Sequence, residues 1–199
     1  MNITAKSTLA QVAACVARAL SRARILAVLT GGACATLYSK GEYLSSDLDF
    51  ILQSAVTRQE LDDVMRSIGF HRSGNHYRHS RTAFFVEFPA GPLGIGTDID
   101  IRPVVHRIGG IGVRLLSPTD SCRDRLAAYY HWNDRQSLNT AVQIARHSQI
   151  DLKVVETWSN REGASDKFRE FLTALGHRPG KGRRRRTPAA SGGKQSKRS

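Results

Sequence analysis

Two aspartates alternate with apolar residues in one short segment, and this alternation strongly constrains the fold. The segment reads Ser46-Asp47-Leu48-Asp49-Phe50-Ile51-Leu52. Period two predicts a β-strand and places Asp47 and Asp49 side by side on one face. Leu48 and Phe50 then face the other way. The segment therefore predicts a strand with one apolar face and one face that carries carboxylates.

A glycine pair precedes these aspartates and follows a predicted apolar strand at residues 25–30. Fourteen residues separate Gly32 from Asp47. Without a Cβ, Gly31 and Gly32 allow backbone N–H groups to approach a phosphate closely. Paired carboxylates repel each other unless a cation neutralises them, and Mg²⁺ binds oxygen ligands together with substrate phosphates. The pattern indicates phosphoryl or nucleotidyl transfer, although a solvent-facing strand after an ordinary Gly-Gly turn explains the spacing equally well.

A third acid is needed to complete such a site. Glu87 is the one charged residue in an apolar strand predicted at residues 84–88, where an unpaired carboxylate is destabilising. Alignment of that strand beside residues 47–52 brings Glu87 to the carboxylate face. Asp98 and Asp100, in a second alternating segment, are the rival candidates and stay open.

The rest of the chain predicts an α+β (α/β) unit followed by helices. Further predicted elements are helices at 7–22 and 33–38, a helix opened by a capping box at Thr57, strands at 70–72, 76–78, 99–105 and 111–116, and four helices after Leu116. The predicted organisation is an α+β unit at 1–116, a helical unit at 117–176 and a tail at 177–199.

Positive charge is concentrated in that tail. The chain has a net charge of +13, and residues 177–199 contain nine basic residues and no acid. Such a composition predicts disorder and binding of polyanions such as RNA or DNA through counterion release, with a solvated extension of no consequence as the alternative. The body of the chain, at +4, is only mildly basic.

Two absences in the sequence bear on the compartment. No apolar run approaches the roughly 18 residues that a membrane span requires. The three cysteines lie far apart and form no CxxC pair. We therefore expect a cytoplasmic protein with no membrane partner.

Taken together, these motifs resemble the nucleotidyltransferases of the DNA polymerase β superfamily. The stretch GGACATLYSKGEYLSSDLDF is most similar to the small bacterial proteins related to AbiEii nucleotidyltransferase toxins. Leu116-Ser117-Pro118, Arg125-Leu126-Ala127 and Asn133-Asp134 extend the similarity weakly into the helical unit, so that it covers about residues 25–135. The resemblance implies a polymerase-β-like core with a mixed sheet and a small helical unit.

The resemblance also implies an activity and a role for each motif. It implies transfer of a nucleoside monophosphate from an NTP to an acceptor hydroxyl, with pyrophosphate leaving and two Mg²⁺ ions as cofactors. The basic tail favours RNA or tRNA as the acceptor. The implied metal-binding and catalytic residues are Asp47, Asp49 and Glu87, and the implied nucleotide-binding residues are Gly31, Gly32, Ser46 and Arg125.

Two departures from the family keep alternatives open. The spacer between the glycines and the aspartates is slightly longer than usual, and Arg125 stands at the family's lysine position, where its guanidinium cannot act as a titrating acid. A catalytically weakened nucleic-acid-binding protein with the same fold and a protein AMP-transferase are therefore alternatives. A toxin role in a toxin–antitoxin or abortive-infection system, with an antitoxin protein as partner, is implied by the resemblance alone.

Overall fold

The computed structural model describes residues 2–177, which form seven helices and a seven-stranded sheet. The strands are β1 (Ala27–Thr30), β2 (Asp47–Leu52), β3 (Phe70–Ser73), β4 (His76–His79), β5 (Thr82–Glu87), β6 (Val104–Ile108) and β7 (Ile111–Leu115). The helices are α1 (Leu9–Arg22), α2 (Gly31–Tyr38), α3 (Arg58–Ser67), α4 (Pro118–Trp132), α5 (Arg135–His147), α6 (Leu152–Arg161) and α7 (Ser165–Leu175). Apart from His177, the predicted basic tail lies outside the described residues.

The sheet is mixed and has the strand order β3-β4-β5-β2-β1-β7-β6. Strand β2 lies at its centre, antiparallel to β1 and parallel to β5. Strand β1 is in turn parallel to β7. Parallel neighbours require crossover connections, which here contain helices. The predicted α/β fold class with a mixed sheet is confirmed.

Strand β2 has the two faces that its alternation predicts. Leu48 and Phe50 are 0% and 1% exposed, within the hydrophobic core. Asp47 and Asp49 are half-buried on the opposite face. Burial of the apolar pair fixes the strand's orientation, because a shift of one residue would move the carboxylates into the core.

Local capping sequences start several helices where the sequence predicts them. At α3, the backbone N–H of Thr57 donates to Glu60 over 2.7 Å, and the backbone N–H of Glu60 donates to the Thr57 hydroxyl over 3.2 Å. At α4, Ser117 is the N-cap and Pro118 is the first helical residue. Helices α4 and α5 pack against α2. The division at residue 116 stays a prediction.

Two predicted boundaries are wrong. Helix α2 begins at Gly31 rather than at residue 33, because Gly31 adopts a φ of 62° that turns the chain directly from β1 into the helix. The strand predicted at 99–105 begins only at Val104. Pro103, which precedes it, has no N–H to donate to a ladder, and residues 88–103 form an irregular connection.

Two findings bear on the predicted compartment. None of the helices α1–α7 has the length and apolar character that a bilayer-spanning segment requires. All three cysteines are buried, and they form no disulfide with one another. The cytoplasmic location itself stays a prediction.

Burial of the apolar face of β2 predicts a large difference between two leucines. We expect Leu48→Ala to lower the free energy of unfolding by about 2–5 kcal/mol, because it leaves a cavity in a fully buried site. Leu44→Ala, at a side chain that is 76% exposed, should change the stability little. Urea unfolding followed by circular dichroism measures both, and equal transition midpoints would contradict the placement of β2.

Candidate functional site

Three carboxylates lie on one face of two neighbouring strands. Asp49 of β2 is directly opposite Glu87 of β5 in the parallel ladder. Directly opposed residues point to the same face, and Asp47 lies two residues before Asp49 on that face. The structure therefore brings together Asp47, Asp49 and Glu87.

The rival acids have other partners. Asp98 accepts hydrogen bonds from the guanidinium groups of Arg123 and Arg161, the latter over 3.3 Å. Asp100 is exposed and lies 3.9 Å from Arg102. Asp98 thus attaches the irregular connection to α4 and α6 and does not join the carboxylate face.

The carboxylate face has too little positive charge. Burial, together with the negative charges of Asp47 and Glu87, raises the pKa of Asp49 from 3.8 to about 7. Arg125 opposes this effect only in part. Within residues 2–177, no group donates a hydrogen bond to the carboxylate of either Asp49 or Glu87. The face is therefore suited to accept a cation.

The glycine pair lets the start of α2 approach this face closely. A Cβ on Gly31 would collide with the Asp49 carboxylate, and its φ of 62° also favours glycine. A Cβ on Gly32 would lie 2.5 Å from the Ser45 hydroxyl. The Asp49 and Ser45 side chains thus leave no room for a Cβ at Gly31 and Gly32. This steric requirement is separate from the phosphate contact that the sequence suggests.

Ser45, rather than Ser46, reaches the carboxylate face. The buried Ser45 donates a hydrogen bond from its hydroxyl to Asp47. The side chain of Ser46 is exposed, and its carbonyl accepts a hydrogen bond from the Phe85 backbone N–H over 3.2 Å. Sequence reasoning missed Ser45, although the period-two series of 45, 47 and 49 contains the signal.

Arg125 comes to the site from α4. It lines a cavity of about 250 Å³ together with Gly31, Asp49 and Asp124. Its Nε and Nη2 atoms donate to the Asp124 carboxylate over 3.0 and 2.6 Å. Sequence reasoning identified Arg125 but missed Asp124, because no spacing distinguished it from Asp120, the other acid of the helix. A phosphate in this cavity would compete with Asp124 for the guanidinium.

The donor types of the carboxylate face fit a hard divalent cation such as Mg²⁺, and the unneutralised charge at Asp49 favours one. In the side-chain arrangement described for residues 2–177, no three His, Cys, Asp or Glu residues form a group that could hold a metal ion. Asp47 is held by Ser45. A metal ion therefore requires the carboxylates to rearrange, including exchange of the Ser45 hydrogen bond for the ion.

The chain has a nucleotidyltransferase-like fold, as comparison with solved structures shows. An antigenic nucleotidyltransferase-like protein from Paracoccidioides brasiliensis is similar over 86% of this chain and 95% of its own, at 17% identity and a TM-score of 0.58. ANT(2")-Ia in complex with adenylyl-2"-tobramycin is similar over 82% of this chain and 98% of its own, at 13% identity and a TM-score of 0.51. The chain matches no protein-family model and no curated sequence at a significant level. The AbiEii-like assignment stays a prediction.

The raised pKa of Asp49 predicts a pH-dependent stability. Ionisation of Asp49 disfavours the folded state. The stability that its protonated carboxyl contributes is therefore fully present below pH 3.8 and is lost as the pH rises through about 7. Asp49→Asn removes this loss. In chelator, we expect the variant's Tm advantage over wild type to be larger at pH 8 than at pH 4.5, with each kcal/mol worth about 2–4 °C.

Asp100→Asn is the matched control because Asp100 is exposed and away from the cluster. Differential scanning calorimetry at the two pH values measures all three proteins. A Tm difference between Asp49→Asn and wild type that is the same at both pH values would contradict the charge cluster.

Proposed function

We propose that the protein is a nucleotidyltransferase that moves a nucleoside monophosphate from an NTP to an acceptor hydroxyl. The observation that carries this proposal is the position of Asp49 opposite Glu87, with Asp47 on the same face beside the Gly31-Gly32 turn. The nucleotidyltransferase-like fold of its structural neighbours supports a transferase. Since fold alone does not define activity, the proposal depends on the site.

The proposed metal ligands are Asp47, Asp49 and Glu87. Bound Mg²⁺ supplies charge neutralisation for the triphosphate and lowers the pKa of the attacking hydroxyl. Glu87, farthest from the glycine turn in strand order, is assigned to the side that receives the acceptor hydroxyl and favours its deprotonation.

The remaining residues bind and orient the nucleotide in this proposal. The backbone at Gly31 and Gly32 binds the triphosphate. Arg125 donates to the phosphate oxygens once its hydrogen bonds to Asp124 are broken. Ser45 orients Asp47 through their hydrogen bond. Ser46, whose side chain is exposed, is kept as a nucleotide contact.

The proposed acceptor is RNA or tRNA, and the proposed location is the cytoplasm. ANT(2")-Ia has been seen with an adenylylated aminoglycoside. For this chain RNA is proposed instead, because residues 177–199 contain nine basic residues and no acid, a composition that binds polyanions. A toxin role, with an antitoxin as partner, rests only on the AbiEii-like similarity of residues 31–50.

A catalytically weakened nucleic-acid-binding protein is the second candidate. Two observations favour it: Arg125 occupies the lysine position of the resembled family, and Asp47 is engaged by Ser45. Such a protein would bind RNA without transferring any nucleotide. Transfer of labelled nucleotide to RNA therefore separates the two candidates.

The transferase proposal predicts the behaviour of matched carboxylate variants. With Mg²⁺ and each α-labelled NTP in turn, we expect the full-length protein to label RNA. Asp49→Asn and Glu87→Gln should lower the rate at least about 100-fold, since each removes a group at the reacting centre. Scintillation counting of gel-purified RNA measures the rate, and circular dichroism verifies folding.

Asp100→Asn is the control, and we expect it to keep the wild-type rate. Label on protein instead of RNA would identify a protein AMP-transferase. No label from any of the four NTPs on RNA or on protein would overturn the proposed activity.

A further inference from the structure

The strands beside Glu87 contain several basic residues and histidines. Residues 70–86, which form the β3–β4–β5 edge of the sheet, contain three arginines, three histidines and no acid. The register places Arg72 opposite Tyr77, on the other face of the sheet, and Arg78 on the face of Glu87. A ligand that reaches Glu87 along this edge therefore meets the Arg78 guanidinium.

The register shows that one face of strands β4 and β5 continues the carboxylate face of β2. His76 of β4 is directly opposite Glu87, which is itself opposite Asp49. Phe85 is directly opposite Asp47. His76 and Phe85 therefore point to the same side of the sheet as the carboxylates and border them.

Three side chains on this face form a cluster, in which the His76 ring is tilted by 53° against the Phe85 ring. The Arg78 guanidinium lies 5.4 Å from the centre of the Phe85 ring, and the His76 ring lies 5.2 Å from it. The Nε atom of Arg78 donates a hydrogen bond of 2.8 Å to His76. These contacts hold the Arg78 guanidinium beside the Phe85 ring, which limits the entropy lost when a ligand binds.

The Arg78 guanidinium is accessible to a ligand. Arg78 is exposed, whereas His76 and Phe85 are half-buried. A guanidinium plane with a ring on one side can stack a nucleobase on its other side and donate to a phosphate at its edge. No acidic side chain competes for Arg78 among the described residues, in contrast to Arg72, which lies 2.9 Å from Asp62.

We propose that His76, Arg78 and Phe85 form the binding platform for a single-stranded RNA acceptor, which crosses β4 and β5 to bring its hydroxyl to Glu87. The assignment of this RNA as acceptor rests on the proposed function. The unpaired charge of Arg78 favours a polyanion, and the cation–ring contact with Phe85 favours one with exposed bases. A polycationic small molecule would meet repulsion from Arg78 on the same path.

Binding without turnover tests the platform directly. The probe is a fluorescein-labelled single-stranded RNA of twelve nucleotides, titrated with full-length protein in EDTA without NTP and followed by anisotropy. We expect Arg78→Ala to raise the Kd about 10-fold and to reduce the salt dependence by about one phosphate contact. Phe85→Leu should raise the Kd about 5-fold or more, with an unchanged salt dependence, through loss of the ring contact.

Arg107→Ala is the charge-matched control, because Arg107 is exposed on β6 at the opposite edge of the sheet. Its Kd should stay within about 2-fold of wild type. Every variant keeps residues 178–199, so the basic tail contributes equally. Thermal unfolding verifies that Phe85→Leu remains folded, and the exposed Arg78 gives a second variant with little structural effect.

The outcomes separate the platform from the transferase activity. Equal affinity of Arg78→Ala, Phe85→Leu and Arg107→Ala would overturn the platform, even if wild type transfers nucleotide to RNA. An unchanged KM for RNA in Arg78→Ala would overturn it too. A selective loss of affinity in Arg78→Ala and Phe85→Leu supports the platform. The same titrations with Asp49→Asn added to each protein should give the same loss, because RNA binding does not require nucleotide transfer.

Discussion

The repulsion among Asp47, Asp49 and Glu87 is the constraint on which the site depends. The sheet register holds Asp49 directly opposite Glu87, and burial of the apolar face of β2 keeps the strand from turning its carboxylates away. Burial of Asp49, together with the negative charges of Asp47 and Glu87, raises its pKa to about 7. A fold that maintains such a cluster at a stability cost is typical of a site that binds a cation or a substrate.

The surrounding elements fit this constraint. Gly31 has no Cβ that would displace the Asp49 carboxylate, and Arg125 supplies partial compensation from α4. The buried Arg123 attaches α4 to other segments, because its guanidinium donates to Asp98 and lies 5.1 Å from the centre of the Trp158 ring of α6. The helical part of the chain thus positions a cation beside the acids of the sheet.

Sequence reasoning was most successful where one residue period determines the structure. The alternation around Asp47 and Asp49 predicted both the strand and its two faces, and Thr57 predicted a helix start through its capping box. The adjacency of Glu87 depended on strand order, which alternation does not determine, and so Asp98 stayed a rival until the register was known.

Contacts between distant segments explain what the sequence did not reveal. Asp124 is important through its ion pair and its place in the cavity, and neither produces a local pattern. The proposed platform on β4 and β5 depends on a cross-strand contact between Arg78 and Phe85. The strand predicted at 99–105 begins only at Val104, because Pro103 has no N–H to donate to a neighbouring strand.

Direct titration of a divalent cation tests the central claim that the carboxylate face is built to accept positive charge. Mn²⁺ is a suitable probe, because electron paramagnetic resonance at pH 8 counts the free ion in the presence of full-length protein and a non-hydrolysable NTP analogue. We expect saturable binding by wild type and Asp100→Asn, and at least about a 10-fold weaker affinity in Asp49→Asn, which loses a charged oxygen ligand. Equal affinity of Asp49→Asn and wild type would contradict the claim that this face accepts positive charge.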